Sequence, residues 1–121
     1  MNHVMLVGVV GKTPEVRKGK KGGDWCVIDL GCRHQEWRDG AMQAVTTWMK
    51  VAAFGRAALE AGTLRAGDLV GIAGSLRNQP KELSGGVVVD NLSVVAQSII
   101  TYASARDAGA GEVDSGDTVP F

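Results

Sequence analysis

Aromatic side chains are scarce in this chain: three Trp, two Phe and one Tyr among 121 residues. A core built from such a sequence has to be aliphatic, so the place of each ring asks for its own explanation. Histidine is scarcer still, with only His3 and His34. There is no Gly-x-x-x-x-Gly-Lys-Ser/Thr phosphate loop, since Leu6 stands where Gly11-Lys12-Thr13 would need its first glycine, and there is no His-Glu-x-x-His pair and no nucleophile elbow. These absences argue against an enzyme, and neither catalytic residues nor a cofactor is expected. Cys26 and Cys32 are the only cysteines. They fall six apart in one predicted strand, about 20 Å, too far to bridge. With His34 they lie along a single strand face and do not converge on a tetrahedral metal site. Buried thiols in a reducing cytoplasm are the expectation. No apolar run is long enough to cross a bilayer, and no basic-then-apolar leader opens the chain, so neither a membrane span nor a signal peptide is expected.

What is present is a hidden charge asymmetry. Thirteen Lys and Arg balance thirteen Asp and Glu overall. Residues 1–106 hold all the cations against nine acids, leaving a body of +4. Residues 107–121 hold Asp107, Glu112, Asp114 and Asp117 without a single cation, and end on Pro120-Phe121. A basic body suggests a polyanionic partner. An acidic end closing on a bare ring suggests a peptide held by another protein, ring and carboxylate entering an apolar pocket with a basic rim.

Seventeen glycines sit at intervals along the chain, as in strands that end in turns or bend at barrel corners. Residues 3–10, 24–34 and 43–54 read as strands, with Asp39-Gly40 a strong hairpin turn before the third. Residues 56–61 are good helix formers, with Gly62 or Gly67 to stop them. Residues 69–77 and 87–95 return to strand character around a loop at 78–85. Periodicity fades from Gln97, and residues 103–116 are small and polar. The chain thus divides into an all-β domain at 1–102 and a short disordered linker and acidic tail at 103–121. Three strands, one short helix and two strands is the order of a five-stranded Greek-key OB barrel.

Alternate residues of a strand share a face. In the third strand, Val45, Thr47, Met49, Val51 and Ala53 form one set, and Thr46, Trp48, Lys50, Ala52 and Phe54 the other. An unpaired Lys50 does not belong in a core, so the second set should face solvent. In the second strand, Cys26, Ile28, Leu30 and Cys32 should point inward. Trp25, Asp29, Arg33 and Trp37 then share the outer face, with Trp25 read as packing and Asp29 as a charge that would repel phosphate. Exposed rings with cations between them suit single-stranded nucleic acid, whose bases stack while Lys50, Arg56 and Arg33 meet phosphates. The loop carrying Lys18, Lys20 and Lys21 lies where it could clamp a strand.

Taken in order, several motifs resemble the bacterial single-stranded DNA-binding protein family. Asn2-His3-Val4 leading through Gly8 to Gly11-Lys12-Thr13-Pro14-Glu15-Val16-Arg17 is similar to that family's opening. Thr47-Trp48-Met49-Lys50-Val51 and Phe54-Gly55-Arg56 resemble its third strand, Leu64-Arg65-Ala66-Gly67-Asp68 a turn, and Gly74-Ser75-Leu76-Arg77 its fourth-strand ending. Asp117-Thr118-Val119-Pro120-Phe121 resembles its acidic tip. The resemblance implies an OB fold assembled as a homotetramer. It also implies sequence-tolerant binding of single-stranded DNA in replication, recombination and repair. It implies base stacking by Trp37, Trp48 and Phe54, and adds Lys12, Arg17 and Arg77 to the cations. The tip, with Asp114, Asp117, Pro120 and Phe121, would dock on helicases, nucleases and recombination mediators. Departures are a residue 78–81 loop without aromatic or arginine, Met49 where a histidine often makes a subunit contact, and a short linker. The alternative is a primosome-type OB adaptor acting mainly through protein contacts.

Overall fold

Valine-rich runs punctuated by glycine set the strands. In a computed structural model, which describes residues 1–105, β1 spans Val4–Val10 and a two-residue β2 spans Arg17–Lys18. Two long strands follow, β3 at Asp24–Arg38 and β4 at Ala41–Phe54. The helix α1 covers Arg56–Ala61 and ends at Gly62. Then come β5 at Leu69–Asn78, the short β6 at Lys81–Glu82 and β7 at Val88–Val89, and β8 at Leu92–Ala103. Asp39 (φ 52°) and Gly40 (φ 77°) both take positive φ, the geometry of a type I′ hairpin turn.

One sheet runs β1-β5-β8-β4-β3-β2, and β1 also pairs with β3 at Val9–Gly31 and Val10–Leu30. That extra pairing closes the sheet into a barrel. The expected OB class, with one short helix between the third and fourth long strands, is what the chain adopts. Closure depends on Gly8, where a Cβ would come within 2.6 Å of the Gly31 carbonyl oxygen.

The fifth long strand differs from expectation. It occupies Leu92–Ala103 and not residues 87–95, and Val88–Val89 instead pairs with Lys81–Glu82 in a small separate hairpin. Against β5, β8 shifts register between Ala73 and Gly74 and again between Leu69 and Val70. Each extra residue, Gln97 and Tyr102, reverses the in–out alternation, so regular periodicity ends at Gln97 while the strand goes on.

The core is aliphatic. Ile28, Leu30, Val51, Val70, Ile72 and Val94 are at most 2% exposed, joined by Cys26 and by Ala58 and Ala61 of α1. Both thiols are free, and burial pushes them up in pKa and so away from reactivity. Met49 packs inward against this core. Asp68 is the buried charge among the described residues, accepting from the Arg65 amide at 2.9 Å and the Ala105 amide at 2.7 Å. No described helix is long and apolar enough to cross a membrane.

Gly74 is the tightest point of the sheet: a Cβ there would fall 1.9 Å from the Val95 carbonyl oxygen, at the bulge. We expect Gly74→Ala to destabilise the fold by roughly 2 kcal/mol or more. Gly23→Ala, where a Cβ meets nothing within 4 Å, should stay within about 0.5 kcal/mol. Urea denaturation of the two variants checks this, and equal stabilities would contradict the packing account.

Candidate nucleic-acid interface

β3 and β4 pair over fourteen consecutive residues with no register shift, from Trp25–Phe54 to Arg38–Ala41. Because Cys26, Ile28, Leu30, Val51 and Ala53 point inward, the intervening residues form one outer face. Its rows are Trp37–Met42, Gln35–Ala44, Arg33–Thr46, Gly31–Trp48, Asp29–Lys50, Val27–Ala52 and Trp25–Phe54. Rings thus recur every third row, at intervals of about 20 Å. A cation stands in each interval, Arg33 in one and Lys50 in the other. Trp37, Trp48 and Phe54 are 69, 60 and 50% exposed. The outward direction expected for these residues is the one observed.

Trp48 has a built seat. A Cβ on its row partner Gly31 would lie 2.9 Å from the indole Cη2, and one on Gly11 would lie 2.6 Å from Cζ3. Two bare glycine backbones therefore let the indole lie down against the sheet. Its exposure is that of a ring supported from beneath and open above.

Asp29 stands in the next row. Its Oδ1 accepts from Lys50 Nζ at 2.5 Å, and its Oδ2 lies 3.7 Å from Lys12 Nζ. The Lys50 ammonium holds its carboxyl below the usual carboxylate range, against a desolvation that pushes the other way. Asp29, read in the sequence as repelling phosphate, is thus internally neutralised. The three side chains line two adjoining hollows of about 370 and 380 Å³, one floored by Trp25 and Val27, the other containing Gly11 and Trp48.

Comparison with known proteins follows this geometry. The model of the single-strand binding protein family matches residues 1–102. The chain belongs to the single-strand binding protein family. Among solved structures it is similar to a Plasmodium falciparum SSB in complex with ssDNA, with a TM-score of 0.72 and 18% identity over 84% of this chain and 94% of that one. It is also similar to a small single-stranded DNA-binding protein from Streptomyces coelicolor, with a TM-score of 0.66 and 25% identity over 84% of this chain and 95% of that one.

In this family member the residues singled out from sequence are only partly gathered. Trp37, Arg33, Trp48, Lys50 and Phe54 share the ribbon, and Lys12 reaches it through Asp29. Arg17 flanks it, paired in register with Trp25 and bonded to Glu15 at 3.3 Å. Arg77 pairs with Ser93 on β8, and β8 lies beside β4 in parallel, Val51 opposite Val94. Arg77 and Lys50 are therefore two strands apart on one outer surface, roughly 10 Å. Arg56 is exposed at the first residue of α1 and makes no ion pair among the described residues. Asp114, Asp117, Pro120 and Phe121 lie outside the described residues.

Sequence reasoning missed three features. Met42 sits opposite Trp37 and is 54% exposed. Trp25, read as packing, is half-buried and lines a hollow beside Arg17. Gly11 and Gly31 hold Trp48. Counting back equally from the Asp39-Gly40 turn gives the first two, since a two-residue hairpin fixes register. Among the described residues no three His, Cys, Asp or Glu side chains group as metal ligands.

The Asp29 pair carries a pH signature. A depressed folded-state pKa contributes stability that is present above the unfolded carboxylate value and lost as pH falls through the folded one. Wild type should exceed Asp29→Asn by up to about 1 kcal/mol at pH 7. That gap should hold to about pH 5 and close below about pH 4, the unfolded carboxylate range. Urea melts from pH 7 to 3 read it, and a gap indifferent to pH would contradict the pairing.

Proposed function

We propose that this protein binds single-stranded DNA with little regard to sequence, by surface complementarity and without chemistry. The observation that carries the proposal is the β3–β4 ribbon, with rings at every third row and a cation in each interval. Trp37, Trp48 and Phe54 offer faces to unpaired bases, since every base has a π-face. Lys12, Arg17, Arg33, Lys50, Arg56 and Arg77 neutralise phosphates, which supplies salt-dependent affinity. A duplex keeps its bases stacked internally and gains only the second contribution, so the ribbon prefers single strands. The family membership and the ssDNA complex of the Plasmodium falciparum protein support this reading.

In the same proposal the protein coats single strands during replication, recombination and repair in the cytoplasm. The 103–121 segment is its linker and recruiting tail, and Asp114, Asp117, Pro120 and Phe121 dock on helicases, nucleases and recombination mediators. Copies assemble as a homotetramer. Support for assembly is an apolar outer patch away from the ribbon: exposed Met5, Val7, Ile100 and Tyr102, with the Tyr102 ring laid over Gly71.

Oligo-dT should quench tryptophan emission, with binding weakened by salt, and Trp48→Ala should cost about 1–3 kcal/mol of that affinity. Emission unchanged at low salt would overturn the proposal. Deleting Val119-Pro120-Phe121 should leave dT affinity intact or raised while abolishing pull-down of a DNA helicase or nuclease. A truncated protein that still recruits them would refute the tail assignment.

A further inference from the structure

We propose that Asp29 is a built-in competitor for DNA phosphate, a carboxylate that occupies Lys12 and Lys50 in the free protein and has to be displaced as a strand binds. The inference deepens the proposed function and rests on the ribbon being the path of the strand.

Position carries the argument. Asp29 lies on the outer face between the Trp48 row and the Trp25–Phe54 row, where a strand spanning both rings must pass. Its two ion-pair partners come from different elements, Lys50 from β4 and Lys12 from the loop after β1. Both ammonium groups are mostly exposed, 79 and 65% by side chain, whereas the carboxylate is only 20% exposed. The trio therefore presents cations outward over a recessed anion, with a net charge of one where two lysines alone would give two. Of the other acids near this surface, Glu15 is engaged with Arg17, Asp24 with Lys18 and Glu36 with Arg38.

A purely structural role explains this poorly. Ion pairs between exposed lysines and a surface carboxylate add little to stability, and a neutral residue opposite Lys50 would pair equally well in the ladder. On a face meant for a polyanion, a carboxylate instead lowers affinity and reduces the number of phosphates effectively neutralised. The protein then releases its strand more readily than its ring count alone would allow.

The test compares full-length wild type, Asp29→Asn and Asp29→Ser, titrated with oligo-dT at several salt concentrations by tryptophan quenching, with thermal melts run alongside to show that each variant folds. Glu60→Gln, which removes an acid exposed on α1, controls for overall charge. Either Asp29 variant should bind about three- to tenfold more tightly at low salt, with a log–log salt slope steeper by ~0.7, the value for one more neutralised phosphate on a single strand. Glu60→Gln should change far less. Lys50→Ala should cost more affinity in the Asp29→Asn background than in wild type. If wild type binds dT and the Asp29 variants match it or bind more weakly, the inference fails and the ribbon assignment stands. If wild type itself does not bind, the ribbon assignment fails and the inference falls with it.

Discussion

The uninterrupted β3–β4 ladder is the constraint on which the rest depends. Fourteen pairs without a bulge mean that one register decides both faces of the sheet at once. Burial of Ile28, Leu30, Val51 and Ala53 is worth several kcal/mol in apolar transfer. That burial holds the register, and the register turns Trp25, Trp48 and Phe54 outward. A slip by one residue would place Asp29 and Lys50 in the core and Ile28 and Val51 in water. The surface is thus enforced by the core, and its rings need no stabilising contacts of their own beyond a seat.

Glycine provides that seat and also the closure. Gly31 pairs with Trp48 on the outer side and with Val9 of β1 across the barrel seam, and Gly8 leaves room for its carbonyl. One residue without a side chain therefore serves two geometries, a sheet closed upon itself and an indole resting on the backbone. The aliphatic core fits the same economy. Every ring among the described residues is at least partly exposed, so the aromatic content of the barrel is spent on its surface, while Val, Ile, Leu and Ala fill the interior.

Most of this was legible in the sequence, for identifiable reasons. The helix at 56–61 was readable because its composition leaves the period-2 pattern abruptly, and the hairpin turn because Asp39-Gly40 takes positive φ without difficulty. The outward set on β4 followed from one lysine, since Lys50 fixes the parity of its strand. The last strand was not legible. Two bulges reverse its alternation at Gln97 and Tyr102, and Val87-Val88-Val89 imitates a buried strand while forming an exposed two-residue hairpin arm. The Asp29–Lys50–Lys12 contact was out of reach for another reason. The ladder makes the first two neighbours, but Lys12 arrives through the course of a loop, which carries no periodicity to read.

One buried group ties the end of the described chain to the margin of the ribbon. Asp68 accepts from the Ala105 amide, and its own backbone carbonyl accepts from the Val10 amide at 2.9 Å. The chain thus leaves the described fold tied to the end of β1, and the next two residues along, Gly11 and Lys12, are the ones that touch Trp48 and pair with Asp29. A buried carboxylate holding two backbone amides is costly to disturb, so Asp68 fixes the described end after β8 against β1. Asp29, at the centre of the face, meets Lys12 of the loop after β1 and Lys50 on β4, so one carboxylate couples that loop to the ladder.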